Sequence, residues 1–122
     1  MKTLLLGVNT WDLLLDASGN IALASEPYSQ AQDAASACRC FSDSRDDDTG
    51  ECWYNTTLGV GYKKMLGRVP NISLIKAKQS SQALLVPGTV SAKVFITGIA
   101  DRRVTGQIQI TTDTGATQTA AF

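Results

Sequence analysis

The stretch from Thr89 to Thr112 constrains the fold of this chain more than any other. Val104, Ile108 and Ile110 alternate with Thr105, Gln107, Gln109 and Thr111. That is the period of two expected of a strand with one buried face. Upstream, Val90, Ala92, Val94 and Ile96 fall on one face, and Ser91, Lys93, Phe95 and Thr97 on the other. The polar turn Ala100-Asp101-Arg102-Arg103 joins the two strands into a long hairpin. An apolar sheet face needs a covering layer, and the preceding residues are expected to supply it.

Two helices are the candidates for that layer. The first is expected to begin near Ser25, with Ser25 as cap, Glu26 against the positive end of the dipole and Pro27 in the first turn. Tyr28, Ala31, Ala34 or Ala35, Cys38 and Phe41 then recur at helical spacing. The middle of that face is small, so the helix should lie close against its neighbour, with Tyr28 and Phe41 packed in the core. The second helix opens at Pro70-Asn71 with Asn71 as cap, and carries Leu74, Ile75, Ala77, Leu84 and Leu85 as its less polar positions. Pro87-Gly88 stops it and turns the chain into the hairpin.

The N-terminal run Met1 to Leu6 is broken by Gly7, Asn9 and Asp12 before it reaches the length of a signal-peptide core. It is expected to form a first buried strand. Trp11 to Leu15 and Ile21 to Leu23 read as a hairpin about Gly19-Asn20. Lys63 to Leu66 reads as a short helical piece ended by Gly67. The polar tail after Thr112 should be floppy alone, or should add as an extended segment to another chain. The expected architecture is α+β: a small antiparallel sheet with a long C-terminal hairpin, covered by two main helices. One domain spans residues 1–114, followed by a flexible tail over 115–122.

Composition narrows function by exclusion. Eleven basic residues balance eleven acidic ones, which suits neither nucleic acid, where a basic surplus is needed, nor strong mutual repulsion between copies. No segment reaches the ~20 apolar residues of a membrane span. The chain contains no histidine, and its serines lack a Gly-x-Ser-x-Gly context. Enzymatic activity is therefore not expected, and no cofactor is implied. Asp43, Asp46, Asp47, Asp48 and Glu51 crowd one polar loop, yet the spacing lacks the distal Glu and third ligand of a calcium loop. A solvated loop is the preferred reading. Cys38, Cys40 and Cys52 form an odd set without a fourth zinc ligand, and are read as reduced thiols packed as small apolar groups.

The order of segments resembles the small baseplate wedge proteins of contractile phage tails, the family that includes the sheath initiator, in its Mu-like variety. The stretches that carry it are Ala31 to Arg39, Gly50-Glu51-Cys52-Trp53-Tyr54 through Leu58-Gly59-Val60-Gly61-Tyr62, Met65-Leu66-Gly67, and Leu85-Val86-Pro87-Gly88-Thr89-Val90. Better-known members carry a Glu-Pro-Arg signature, and Leu85-Val86-Pro87-Gly88 stands in that region here.

The resemblance implies a non-enzymatic virion component, made in the host cytoplasm and present in several copies in a symmetric baseplate. Its implied partners are other wedge and hub subunits, the tail sheath and the tail tube. The implied contact is strand addition, in which an unpaired edge hydrogen-bonds a neighbour's strand. The long strand Val104 to Thr112 carries no proline, and charges appear only at its ends. It is the expected free edge, with Val104, Thr105, Gln107, Ile108, Gln109, Ile110, Thr111 and Phe122 as partner-binding residues. Another tail component, such as a tube, connector or completion protein, using the same surface is the alternative.

Overall fold

A computed structural model describes residues 2–42, 50–62, 65, 71–101 and 103–122 of the chain. The fold is α+β. Seven elements run in the order β1 (Thr3–Leu4), β2 (Leu23–Ala24), α1 (Tyr28–Arg39), α2 (Ile72–Ala83), β3 (Thr89–Ala100), β4 (Arg103–Thr112) and β5 (Thr117–Ala121). The main sheet is antiparallel with order β3-β4-β5, while β1 and β2 pair separately.

The expected hairpin is β3 and β4, turning at Asp101, whose φ of 48° matches the left-handed backbone of a tight two-residue loop. Its register slips between Thr89 and Ser91, and again between Ile96 and Gly98. Each slip inserts an extra residue, and an extra residue reverses which face the following side chains occupy. Val90, expected inside, is therefore exposed, whereas Ala92, Val94 and Ile96 pack inward.

The remaining tail is not floppy. Thr112 accepts from Gly115 N–H at 2.9 Å, Gly115 takes a φ of 82°, and the chain folds back to pair residues 117–121 with β4. Asp113-Thr114-Gly115 thus forms a three-residue hairpin loop whose glycine occupies the left-handed position. The separation into a domain ending at 114 and a free tail is replaced by one continuous sheet.

Helix α1 begins at Tyr28, later than the sequence suggests, and no side chain caps it. Its small face behaves as expected: Ala31, Ala34, Ala35 and Cys38 are buried against Ile108, Ile110 and Ala120 of the sheet and Ala83 of α2. Methyl-sized side chains permit this close approach, because the sheet's isoleucines fill the space a longer helical residue would need. Phe41, by contrast, lies past the helix and half-exposed, packed edge-to-face on Tyr62 at 5.5 Å. Asn71 caps α2 as expected, its Oδ1 accepting from Leu74 N–H at 3.2 Å. Only Ile75, Gln79 and Ala83 of that helix are buried, while Leu74, Leu84 and Leu85 face solvent.

Two buried glutamines take over positions that apolar periodicity would leave vacant. Gln79 Nε2 donates to the Tyr62 hydroxyl at 2.8 Å, and that hydroxyl donates to Cys38 C=O at 2.6 Å. The pair ties α2 to the end of α1. Gln32 Nε2 donates to Leu4 C=O at 2.7 Å, while its Oε1 accepts from Leu6 N–H at 2.9 Å. The amide thus imitates one residue of a neighbouring strand and fastens the N-terminal segment to α1. The Gln32 amide is paired at both its oxygen and its nitrogen, whereas Gln79 Oε1 finds no hydrogen-bond partner among the described residues.

Candidate interaction surface

The positions expected to bind a partner are distributed differently from the sequence reading. β4 is the middle strand, paired with β3 on one side and β5 on the other. Ile108 and Ile110 are fully buried beneath α1, and Gln107, Gln109 and Thr111 sit on the uncovered face of the sheet with their main chain already in a ladder. Phe122 packs against the core, and its N–H and C=O exchange hydrogen bonds with Gly106 at 3.0 and 3.3 Å. Of the expected set, Val104 and Thr105 lie beyond the end of β5, paired only with β3. The free edge is therefore not β4. The physical reason is that β4 already finds, within its own chain, the strand it was expected to seek elsewhere.

The edge has moved outward by one strand. Gly106 bonds Phe122, and Thr112 N–H donates to Ala116 C=O at 2.9 Å. Antiparallel ladders alternate, so Gln118 and Ala120 also face β4, while the main-chain groups of Thr117, Thr119 and Ala121 face away. Among the described residues no main-chain hydrogen bond from outside the sheet reaches these three outward positions. Nothing along 117–122 blunts the edge: it has no proline, lysine or other charge. Isolated proteins usually protect an edge with such devices. The opposite edge is treated otherwise, for Ser80 of α2 donates its hydroxyl to Ala92 C=O in β3 at 2.9 Å.

A second surface adjoins the end of β5. Leu4 pairs with Leu23, Leu6 bridges Leu13 and Leu15 bridges Ile21. Cross-strand partners share a face, as do residues two apart. Six aliphatic side chains therefore lie on one side of these short segments. Leu5, Leu14 and Ala22 link the three through a closed cycle of main-chain bonds: Leu5 N–H to Ala22 C=O at 2.9 Å, Ala22 N–H to Leu14 C=O at 2.8 Å, and Leu14 N–H to Leu5 C=O at 3.2 Å. The N-terminus is thus not a buried strand. Leu15 is 66% exposed and Leu23 59%, because Gln32 and Trp11 anchor the other side. Trp11 packs on the core beneath the Arg39 guanidinium, 4.4 Å from its ring. A contiguous aliphatic surface of this kind is a candidate interaction site. The signal was present in the sequence as apolar residues two apart, repeated in three short segments.

The two surfaces meet at a crevice bounded by Leu6, Val8, Trp11, Ala120 and Ala121, whose volume of about 10 Å³ accommodates one water. A broader concavity under the hairpin tip, between Gly98 and Arg103, opens to solvent. Neither has the enclosed apolar walls of a small-molecule site. Among the described residues no group of three His, Cys, Asp or Glu side chains is placed to hold a metal. Asp43, Asp46, Asp47 and Asp48 of the acidic loop lie outside the described residues, as do Lys63, Lys64, Leu66 and Gly67 of the expected short helix. Glu51 is described, and its carboxylate accepts from Phe41 N–H at 3.0 Å. No helix among the described residues is long and apolar enough to cross a membrane.

The fold and surface define a small α+β domain with helices on one sheet face, an uncharged strand at its edge and an aliphatic face beside that edge. The chain matches no protein-family model and no curated protein.

Proposed function

We propose that this protein is a non-enzymatic structural subunit of a contractile phage tail baseplate, joining wedge and hub to sheath by strand addition at its C-terminal ribbon. The β5 edge carries the reading: an extended strand with outward main-chain groups at Thr117, Thr119 and Ala121 and no protecting charge. A neighbour's strand would pair those groups while its side chains met the Leu4–Leu23 face. The family-like order of segments supplies the setting, with wedge, hub, sheath and tube subunits as partners in the virion.

Thr119→Pro tests the contact. Thr119 presents its N–H outward, and proline is tolerated at such edge positions. The variant is expected to keep its thermal midpoint within a few degrees of wild type. A tagged wild-type chain should retain wedge or sheath subunits from tail-producing cells, and Thr119→Pro should lose them. Equal retention of those subunits by both chains, or none with wild type, would overturn the proposal.

A further inference from the structure

Of the three cysteines, Cys38 is sealed in the core, where its thiol contacts Gln79 C=O at 3.5 Å and burial pushes its pKa up to about 12. It packs as a small apolar group, as the sequence suggests. The other two are placed differently. Cys40 and Cys52 have their sulfurs 4.0 Å apart, and the main chain on both sides explains why.

Cys40 ends α1, its N–H donating to Ser36 C=O at 3.1 Å, and its own C=O accepts from Val60 N–H at 3.0 Å. Ser42 N–H returns to Val60 C=O at 3.2 Å. The next contact runs the other way: Glu51 N–H donates to Phe41 C=O at 2.9 Å, and Phe41 N–H is held by the Glu51 carboxylate. These two bonds hold Phe41 and Glu51 side by side and bring the flanking Cys40 and Cys52 sulfurs into contact.

Main chain packs closely around both cysteines. Gly59, at a φ of 108°, lets the chain pass against Cys40 C=O where any Cβ would collide. Gly50 does the same against Thr56 C=O, and Cys52 C=O accepts from Asn55 N–H at 3.1 Å. A disulfide would close this 4.0 Å separation to a sulfur–sulfur bond of about 2.05 Å.

We propose that Cys40 and Cys52 form a reversible disulfide site, closed by exchange with a small-molecule disulfide such as oxidised glutathione and reopened by excess thiol. Cys52 thiolate attacks one sulfur of the disulfide, forming a mixed disulfide and releasing one glutathione thiolate, which takes up a proton. Cys40 thiolate then attacks the Cys52 sulfur, forming the internal bond and releasing the second glutathione. Two protein thiols are oxidised, and two electrons reduce one glutathione disulfide to two thiols. The order follows from the surroundings. Burial first, and with it the Glu51 charge, the Cys52 charge and the Cys52 hydrogen bond, together push the Cys40 thiol up to about 11. Capping Cys52 removes these last two effects, so Cys40 becomes the better attacker only after the first exchange.

The protein, equilibrated across ratios of oxidised to reduced glutathione, alkylated and mapped by mass spectrometry, provides the test. A Cys40–Cys52 linkage should appear and should reverse with excess reduced glutathione, leaving Cys38 unlinked. Cys40→Ser should accumulate a stable glutathione adduct at Cys52, roughly tenfold above the wild-type level at the same ratio. The proposal is overturned if wild type carries separate adducts or free thiols at every ratio, or if the linkage involves Cys38. The wild-type map decides the matter even where a serine variant does not fold.

Discussion

Gln109→Pro is expected to melt the sheet. Gln109 pairs with Lys93 on one side and Thr119 on the other. Its neighbours Ile108 and Ile110 share the parity of Gly106 and Thr112, which bond β5, so the Gln109 N–H and C=O face β3. Proline there deletes a ladder hydrogen bond and forces a ring against an occupied strand, in the interior of a sheet where proline is essentially never found. A loss of roughly 3 kcal/mol or more is expected, a large share of the ~5–15 kcal/mol that holds a domain together. The midpoint in thermal circular dichroism should fall by about 10 °C or more. The same residue type at Thr119, one strand further out, should be nearly silent. A Gln109→Pro chain that melts like wild type would mean that β4 is not an interior strand.

The second large effect is expected at Ile108. It is 0% exposed, at the centre of the contact between β4 and the alanine face of α1. Truncation to alanine removes buried methyl and methylene groups and leaves a cavity. The alanines opposite are already as small as a side chain can be, and the backbones behind them are held by helix and sheet. Little collapse can follow, so Ile108→Ala should fall in the middle of the range for such changes, about 3–4 kcal/mol. Ile99, on the projecting end of the hairpin and 44% exposed, gives the contrast: Ile99→Ala should cost under about 1 kcal/mol. Chemical denaturation of the two variants checks both values, and similar midpoints would place the core elsewhere.

The parts of the fold legible in the sequence are those where one face is buried and the period shows. The alternation of Val104 to Thr111, the small face of α1, the Asn71 cap and the Pro87-Gly88 turn into β3 all follow from local chemistry, whereas α2 already ends at Ala83, ahead of Leu84 and Leu85. The bulges at Val90 and Thr97 were hidden because an extra residue leaves composition unchanged and is revealed only by a partner's register. β5 was hidden because Thr-Gln-Thr-Ala-Ala is weakly apolar. Its pairing is specified by the Asp113-Thr114-Gly115 loop and by Phe122 reaching the core, not by its own pattern. Buried glutamines defeat periodicity altogether, since Gln32 and Gln79 lie inside because particular carbonyl, amide and hydroxyl groups await them. The candidate site suffered most from this. Reading the last residues as a loose tail left β4 as the apparent edge, whereas the tail itself provides the edge once it folds back.

Amide hydrogen exchange along β5 measures that edge most directly. In the isolated chain, Gln118, Ala120 and Phe122 should exchange slowly because their N–H groups bond β4, while Thr117, Thr119 and Ala121 should exchange as exposed amides. In assembled particles the second set should become protected as a neighbouring strand takes those groups. Outward amides that exchange equally fast in the assembled particle, or that are already protected in the free chain, would contradict strand addition at this edge.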